Sequence, residues 1–255
     1  MKAKGILRIS LIVLAAVLGL AILLGALNAL VGDGEWTFFW TVYRYDDTGF
    51  EVGSSTVYTD LLREVDIDWI DGQVQVILCE DFYPSVSESC TGDVSESSYM
   101  RWQLDATGER LTVKYRKPSG FLGSGENKQK DLVVRIPARM VGQLDALTLN
   151  VSTSQVTVDA IPFKSVQITS QSGEVALGLH PNCERIGIES KKGDVVLFSK
   201  DAPSVSVSYE SKRGGAPILD FFFSKESGRY VSLEGNTRID VVCERGQLTV
   251  KRSES

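Results

Sequence analysis

The chain has 255 residues, 43% hydrophobic and 24% charged, with a formal net charge of −6, a balance that excludes a wholly disordered polypeptide. Setting aside Lys2, Lys4 and Arg8, 24 basic residues stand against 33 acidic ones, so residues 32–255 carry a formal −9. A charge of that sign argues against nucleic acid or an anionic lipid surface as a partner, because both demand a basic patch.

From Ile9 to Val31 the only polar residues are Ser10 and Asn28, and a helix of roughly 20 apolar residues crosses the hydrocarbon layer. The pattern predicts a transmembrane helix over 9–31. The run closes as Gly25-Ala26-Leu27-Asn28-Ala29-Leu30-Val31 without a clear small-x-small cleavage site, which favours a retained anchor over a removed signal. Lys2, Lys4 and Arg8 precede the run and Asp33 and Glu35 follow it, so residues 1–8 are expected in the cytoplasm and everything after the helix outside. Residues 32–59 read as a juxtamembrane segment and linker. Their aromatics Trp36, Phe38, Phe39, Trp40, Tyr43 and Tyr45 suit either the headgroup region or an ordinary first strand.

A β-repeat domain is expected over 60–252, with a short tail at 253–255. Its first unit is Val65-Asp66-Ile67-Asp68-Trp69-Ile70-Asp71-Gly72-Gln73-Val74-Gln75-Val76, two alternating strands of which each buries one face. Cys79 and Cys90 flank a turn-like stretch, and in an exported domain their closeness makes them the first candidates for a disulfide, although four cysteines allow three pairings. Strands are predicted around 99–104 and 111–115, followed by a flexible loop at 117–127, and then Asp131-Leu-Val-Val-Arg-Ile136-Pro137, where proline ends the strand.

The clearest signal is a repeat over residues 147–209. Units open at Leu147, Val166, Ile186 and Val205, in steps of 19, 20 and 19, and in the first three the second strand starts 9 residues after the first. A period near 20 residues points to a solenoid, in which no unit buries its apolar face alone but stacked copies share one core. Gly72, Gly173 and Gly193 each stand two residues before a second strand, where a tight turn calls for positive φ. Phe221, Phe222 and Phe223 are expected to plug one end of the stack, with an exposed ring as a candidate partner contact. The tail reads as further strands near 230–233, 239–243 and 248–250.

With these units in view, the V-x-I-x-S-x-x-G-[DE]-V patterns at 166–177 and 186–197, the unit at 65–76 and the segment 131–137 resemble the bacterial adhesin family described as toast-rack domains. The resemblance covers about 60–252. It implies an all-β, single-domain β-solenoid with roles in envelope adhesion or in scaffolding stress-signalling complexes, and it brings no catalytic residues.

Nothing in the chain assembles a catalytic or metal motif. His180 is the sole histidine, with neither a G-x-S-x-G element nor a second histidine to share zinc, so no cofactor is expected. Asp66 and Asp68 share a strand face, and with Asp71 they support an alternative: a glycan-active enzyme using exposed carboxylates. A structural spacer is a third option. The leading expectation is a non-enzymatic, membrane-anchored extracytoplasmic protein binding a cell-envelope protein or polymer, with its oligomeric state open.

Overall fold

The computed structural model describes residues 14, 17–23, 34–37, 40–43, 45–92, 94–117, 120–121 and 129–253. They fall into two compact units, Met1–Thr48 with Lys117–Lys128, and Gly49–Arg116 with Gln129–Ser255.

In the first unit, β1 (Gly34–Thr37), β2 (Trp40–Tyr43) and β9 (Gly120–Phe121) form a small antiparallel sheet in that order. Gly34–Thr37 and Trp40–Tyr43 of the aromatic segment are therefore strands, the alternative its pattern also allowed. Residues 17–23 are helical. Most of the expected span at 9–31 lies outside the described residues, and among those described no helix is long and apolar enough to cross a membrane.

The second unit begins earlier than residue 60. Its strands β3 (Glu51–Val52), β4 (Ser55–Thr56), β5 (Glu64–Cys79), β6 (Ser85–Cys90), β7 (Arg101–Leu104), β8 (Arg110–Lys114), β10 (Lys130–Pro137) and β11 (Ala146–Val158) are followed by two-strand rungs. These are β12 (Ser165–Ser172) with β13 (Val175–Gly178), β14 (Arg185–Lys192) with β15 (Val195–Ser199), and β16 (Val205–Ser211) with β17 (Ile218–Leu219). A hairpin of β18 (Ser224–Glu226) and β19 (Arg229–Ser232) precedes the last rung, β20 (Thr237–Arg245) with β21 (Leu248–Arg252).

The rungs stack in parallel. Leu147 lies opposite Val166 and Val166 opposite Ile186, while in the second ladder Val156 lies opposite Val175 and Val175 opposite Val195. The spacing read from sequence over 147–199 is thus the spacing of the stack. At both ends, however, spatial order departs from chain order. Ile186 pairs with Ile239, and only then does Ile239 pair with Val207, so the unit opening at Val205 is not the next rung but the terminal one. Likewise β11 stacks on β5, and the terminal rung beyond β5 is built from β8 and β10. Each displaced rung carries an antiparallel strand on its outer side: β7 on β8, β6 on β10 and β19 on β16. That arrangement blunts sheet edges which would otherwise template pairing with another chain.

The core consists of in-register apolar columns. One runs Leu111, Val65, Leu147, Val166, Ile186, Ile239 and Val207, each at most 3% exposed. Full burial of such a side chain is worth about 1.5–3 kcal/mol. Return loops close the third side with Met140, Leu144, Ile161, Phe163, Leu179 and Cys183.

The corner between the two strands of a rung depends on glycine. Gly173 and Gly193 have φ of +110° and +142°, and their N–H groups donate to Lys192 O (2.9 Å) and Arg245 O (3.0 Å) of the next rung. A Cβ on Gly193 would overlap the Gly173 carbonyl, and one on Gly173 the Ser154 carbonyl. Positive φ and close stacking thus select the same residue. Inside this corner Ser190 Oγ donates to Gly193 O at 3.2 Å, whereas Ser154 Oγ, also buried, has no hydrogen-bond partner among the described residues.

Candidate interaction surface

Period-2 alternation turns one residue of every pair outward, so in-register stacking lines those residues up along the stack. On the first ladder a row runs Lys114, Asp68, Asn150, Thr169 and Glu189. Beside it lies a cavity of about 460 Å³, lined by Asp68, Asn150, Ser152, Thr169 and Gln171 among others. Its floor is fixed from beneath: Trp69, 1% exposed, donates its indole N–H to Lys130 O at 2.7 Å and meets Tyr115 edge-on at 5.1 Å.

Asp66 and Asp68 on this face, and Asp71 at the corner, are each engaged by neighbours. Asp66 lies 3.7 Å from Arg110 Nε, and Arg110 also pairs with Glu64. Asp68 accepts the Asn150 amide at 3.0 Å. Asp71 accepts from Gly72 N–H at 2.8 Å and from Thr153 Oγ1 at 3.4 Å. Gly72, with φ +90°, occupies the corner of its rung.

Cys79 and Cys90 are not joined. Cys79 lies opposite Pro137 and Cys90 opposite Lys130, at the two ends of β10 and therefore about 23 Å apart along the strand, far beyond the Cα separation a disulfide tolerates. Proximity in sequence misled here because β5 and β6 flank β10 and do not pair with each other. Burial raises the Cys79 thiol, and it raises Cys183 and Cys243 to about 11. Of the phenylalanines, Phe221 joins the core at 8% exposure, Phe223 packs partly against it and Phe222 is 89% exposed.

His180 lines a second cavity of about 680 Å³ on the return-loop side, with Leu179, Phe198, Pro203 and Leu233. Its Nδ1 accepts the Asn182 N–H at 3.1 Å, and burial lowers its pKa. Among the described residues no three His, Cys, Asp or Glu side chains are grouped to hold a metal ion.

One cluster is absent from the sequence reading. Lys130 is fully buried, and its ammonium donates to Glu88 Oε1 (2.5 Å), Ser98 O and Arg116 O (3.1 Å), 4.6 Å from the Tyr115 ring centroid. Burial pushes the ammonium below its usual range against the opposing pull of Glu88. A signal did exist: Lys130 shares the inward parity of Leu132, Val134 and Ile136.

Comparison with known proteins agrees with this architecture. A crystal structure of a candidate cell adhesion protein from Clostridium sporogenes superposes with a TM-score of 0.60 at 14% identity, covering 80% of this chain and all of that one. A candidate adhesin from Bacteroides fragilis covers 80% of this chain and 97% of its own at 8% identity, with a TM-score of 0.29, too low to carry a fold argument. No curated protein matches the chain. The family model described as Toastrack DUF4097 matches residues 84–251, and the chain belongs to that family.

Proposed function

We propose that the protein is an adhesin-like binding or scaffolding module of the bacterial cell envelope, tethered through residues 9–31 with its stacked domain outside the cytoplasm. The observation that carries this reading is the stack itself: in-register outward rows on an apolar core, with strands covering its displaced terminal rungs. Such a body presents a broad, rigid face at little ordering cost on binding. The relatedness in fold to the Clostridium sporogenes protein supports the adhesive side of the reading. The engagement of Asp66 by Arg110 and of Asp68 by Asn150 supports binding over glycan hydrolysis, which calls for a carboxylate pair poised on either side of a scissile bond. A role in envelope stress signalling would use the same face toward a protein partner.

Two measurements on the full chain in its own cells test the proposal. A C-terminal reporter active only outside the cytoplasm should be active, and the protein should cosediment with purified envelope material. An inactive reporter, or a protein released entirely with the cytosol and bound to no envelope fraction, would overturn it.

A further inference from the structure

The net charge of the outer chain argues against an anionic partner, but folding distributes that charge unevenly. Where the strand-to-strand corner reaches the last rungs, three distant segments converge. Lys192 lies directly opposite Arg245. Ser211 lies opposite Cys243, and Lys212 donates its N–H to Cys243 O, which brings Lys212 and Arg213 to the same corner. All of these cations and Lys191 are exposed.

Two carboxylates sit among them. Glu244 pairs with Lys212 at 2.8 Å and is held below its usual range by Lys212 first, with Lys191 and Arg245 adding to the effect. Asp194 is occupied by the Gln247 N–H at 2.8 Å. Glu189 and Glu210 lie two residues back along their strands. Among the described residues no carboxylate is bonded to the lip formed by Lys192 and Arg245, and like charges directly opposite each other on neighbouring strands repel. At the other margin of the same sheet, the facing pair Arg185 and Arg238 differs, because Asp240 bonds Arg238 at 3.0 Å. A facing pair with no bonded carboxylate is thus local to this corner and not a general habit of the fold.

The lip lies in the column beside the groove: Thr153 faces Ser172, and the same register carries Ser172 onto Lys192 and Lys192 onto Arg245. Ser170 faces Ser190, so the next residue, Gln171, which lines the cavity beside Asn150, Ser152 and Thr169, is followed along the stack by Lys191. Amides and hydroxyls therefore give way to cations, one rung apart at about 4.8 Å.

We propose that this continuous track binds an anionic, polyhydroxylated polymer, a sugar or polyol chain bearing acidic groups, with its hydroxyls in the groove and its anions on the cationic lip. Hydroxyl-rich chains exchange hydrogen bonds with amide and hydroxyl side chains, and the acidic groups would relieve the repulsion between Lys192 and Arg245. The inference rests on the reading of the chain as an envelope-binding module and names the chemistry of its partner.

The full chain is tested by equilibrium binding to carboxymethyl-dextran, unmodified dextran, long-chain polyphosphate and phosphatidylglycerol vesicles. Carboxymethyl-dextran should bind most tightly and lose affinity as salt rises. The double variant Lys192→Gln, Arg245→Gln should lose roughly tenfold, and Asn150→Ala with Gln171→Ala should weaken carboxymethyl-dextran binding but not the residual attraction for polyphosphate. Arg185→Gln, on the other margin, should leave binding unchanged, and melting temperatures identify any variant that fails to fold. Equal binding of plain dextran, equal or tighter binding of polyphosphate, binding to vesicles alone, no binding, or an unchanged double variant would each overturn the proposal. Cosedimentation with envelope material alongside any of these results would leave the broader function standing with a different partner.

Discussion

At the end of the stack formed by β8 and β10, a fully buried lysine is neutralised by Glu88 and three further groups, and the strands β3, β4, β6 and β7 wrap around it. At the other end, formed by β16 and β17, the tie is shallower. Arg229 donates to Ser206 Oγ (2.8 Å), Ser206 O (2.7 Å), Ile239 O (2.9 Å) and Asp240 Oδ1 (2.9 Å), with its side chain 23% exposed. Both ends insert a rung out of chain order and cover it with an antiparallel strand. The difference shows that the topology needs a polar clamp, but not a buried one: a charge sealed from water fixes one arrangement at high cost to alternatives, while a partly wet guanidinium holds the other more loosely.

Breaking the buried clamp should destabilise the protein most. Lys130→Met leaves Glu88 uncompensated at 6% side-chain exposure and should cost about 3–5 kcal/mol by chemical denaturation, with β6 and β10 losing amide protection first. Adding Glu88→Gln should restore part of it. Next, Gly193→Ala strikes the rungs common to both ends; backbone overlap and positive φ together should cost about 3 kcal/mol, read as a lowered midpoint with unchanged denaturant slope. Arg229→Ala should cost about 1–3 kcal/mol and open β18 and β19 locally, leaving exchange at β10 as it was.

Acid should loosen both ends before the rungs at 165–199. Asp105 is held low by the Thr107 hydroxyl and neighbouring backbone N–H groups; for Asp240, burial opposes the shift but Arg229 and Arg238 prevail. Carboxyls depressed in the folded state stabilise it above the ordinary value of 3.8 and lose that contribution as pH falls through the lower folded value. Hydrogen exchange corrected for intrinsic rates should therefore show opening near β7–β8 and β16–β20 before 165–199. Protection at those ends that stays level with that of these rungs would refute this. The smallest effect is kinetic: with thiols raised to about 11, Cys183 and Cys243 should react with iodoacetamide at pH 8 well after Cys79, as followed by mass spectrometry.

Alternation and a 20-residue period made the units at 147–197 legible, because stacked neighbours repeat the same inward columns and the same corner glycines. The strands at 51–56 escaped notice since two-residue pairings leave no periodic trace. The out-of-order rungs escaped for a different reason: Val205–Tyr209 and Ile239–Cys243 carry equivalent alternation, so either fits beside Ile186, and nothing local marks Val205–Ser211 as the strand that pairs with the β18–β19 hairpin. The candidate surface was half visible. Asp68, Asn150 and Thr169 stand at predictable outward positions, but the cationic lip draws on residues 191–192, 212–213 and 245, which only stacking brings together.

Local periodicity and backbone sterics are enough to read from the amino-acid order a mostly β chain of one-sided strands, its glycine corners and most of its core. Folding in three dimensions settles which rung stacks on which, that Cys79 and Cys90 stand apart, that Lys130 lies inside, and that a net-acidic domain carries a basic edge. Each of these depends on contacts between residues distant in the chain, whose pairing no local pattern encodes.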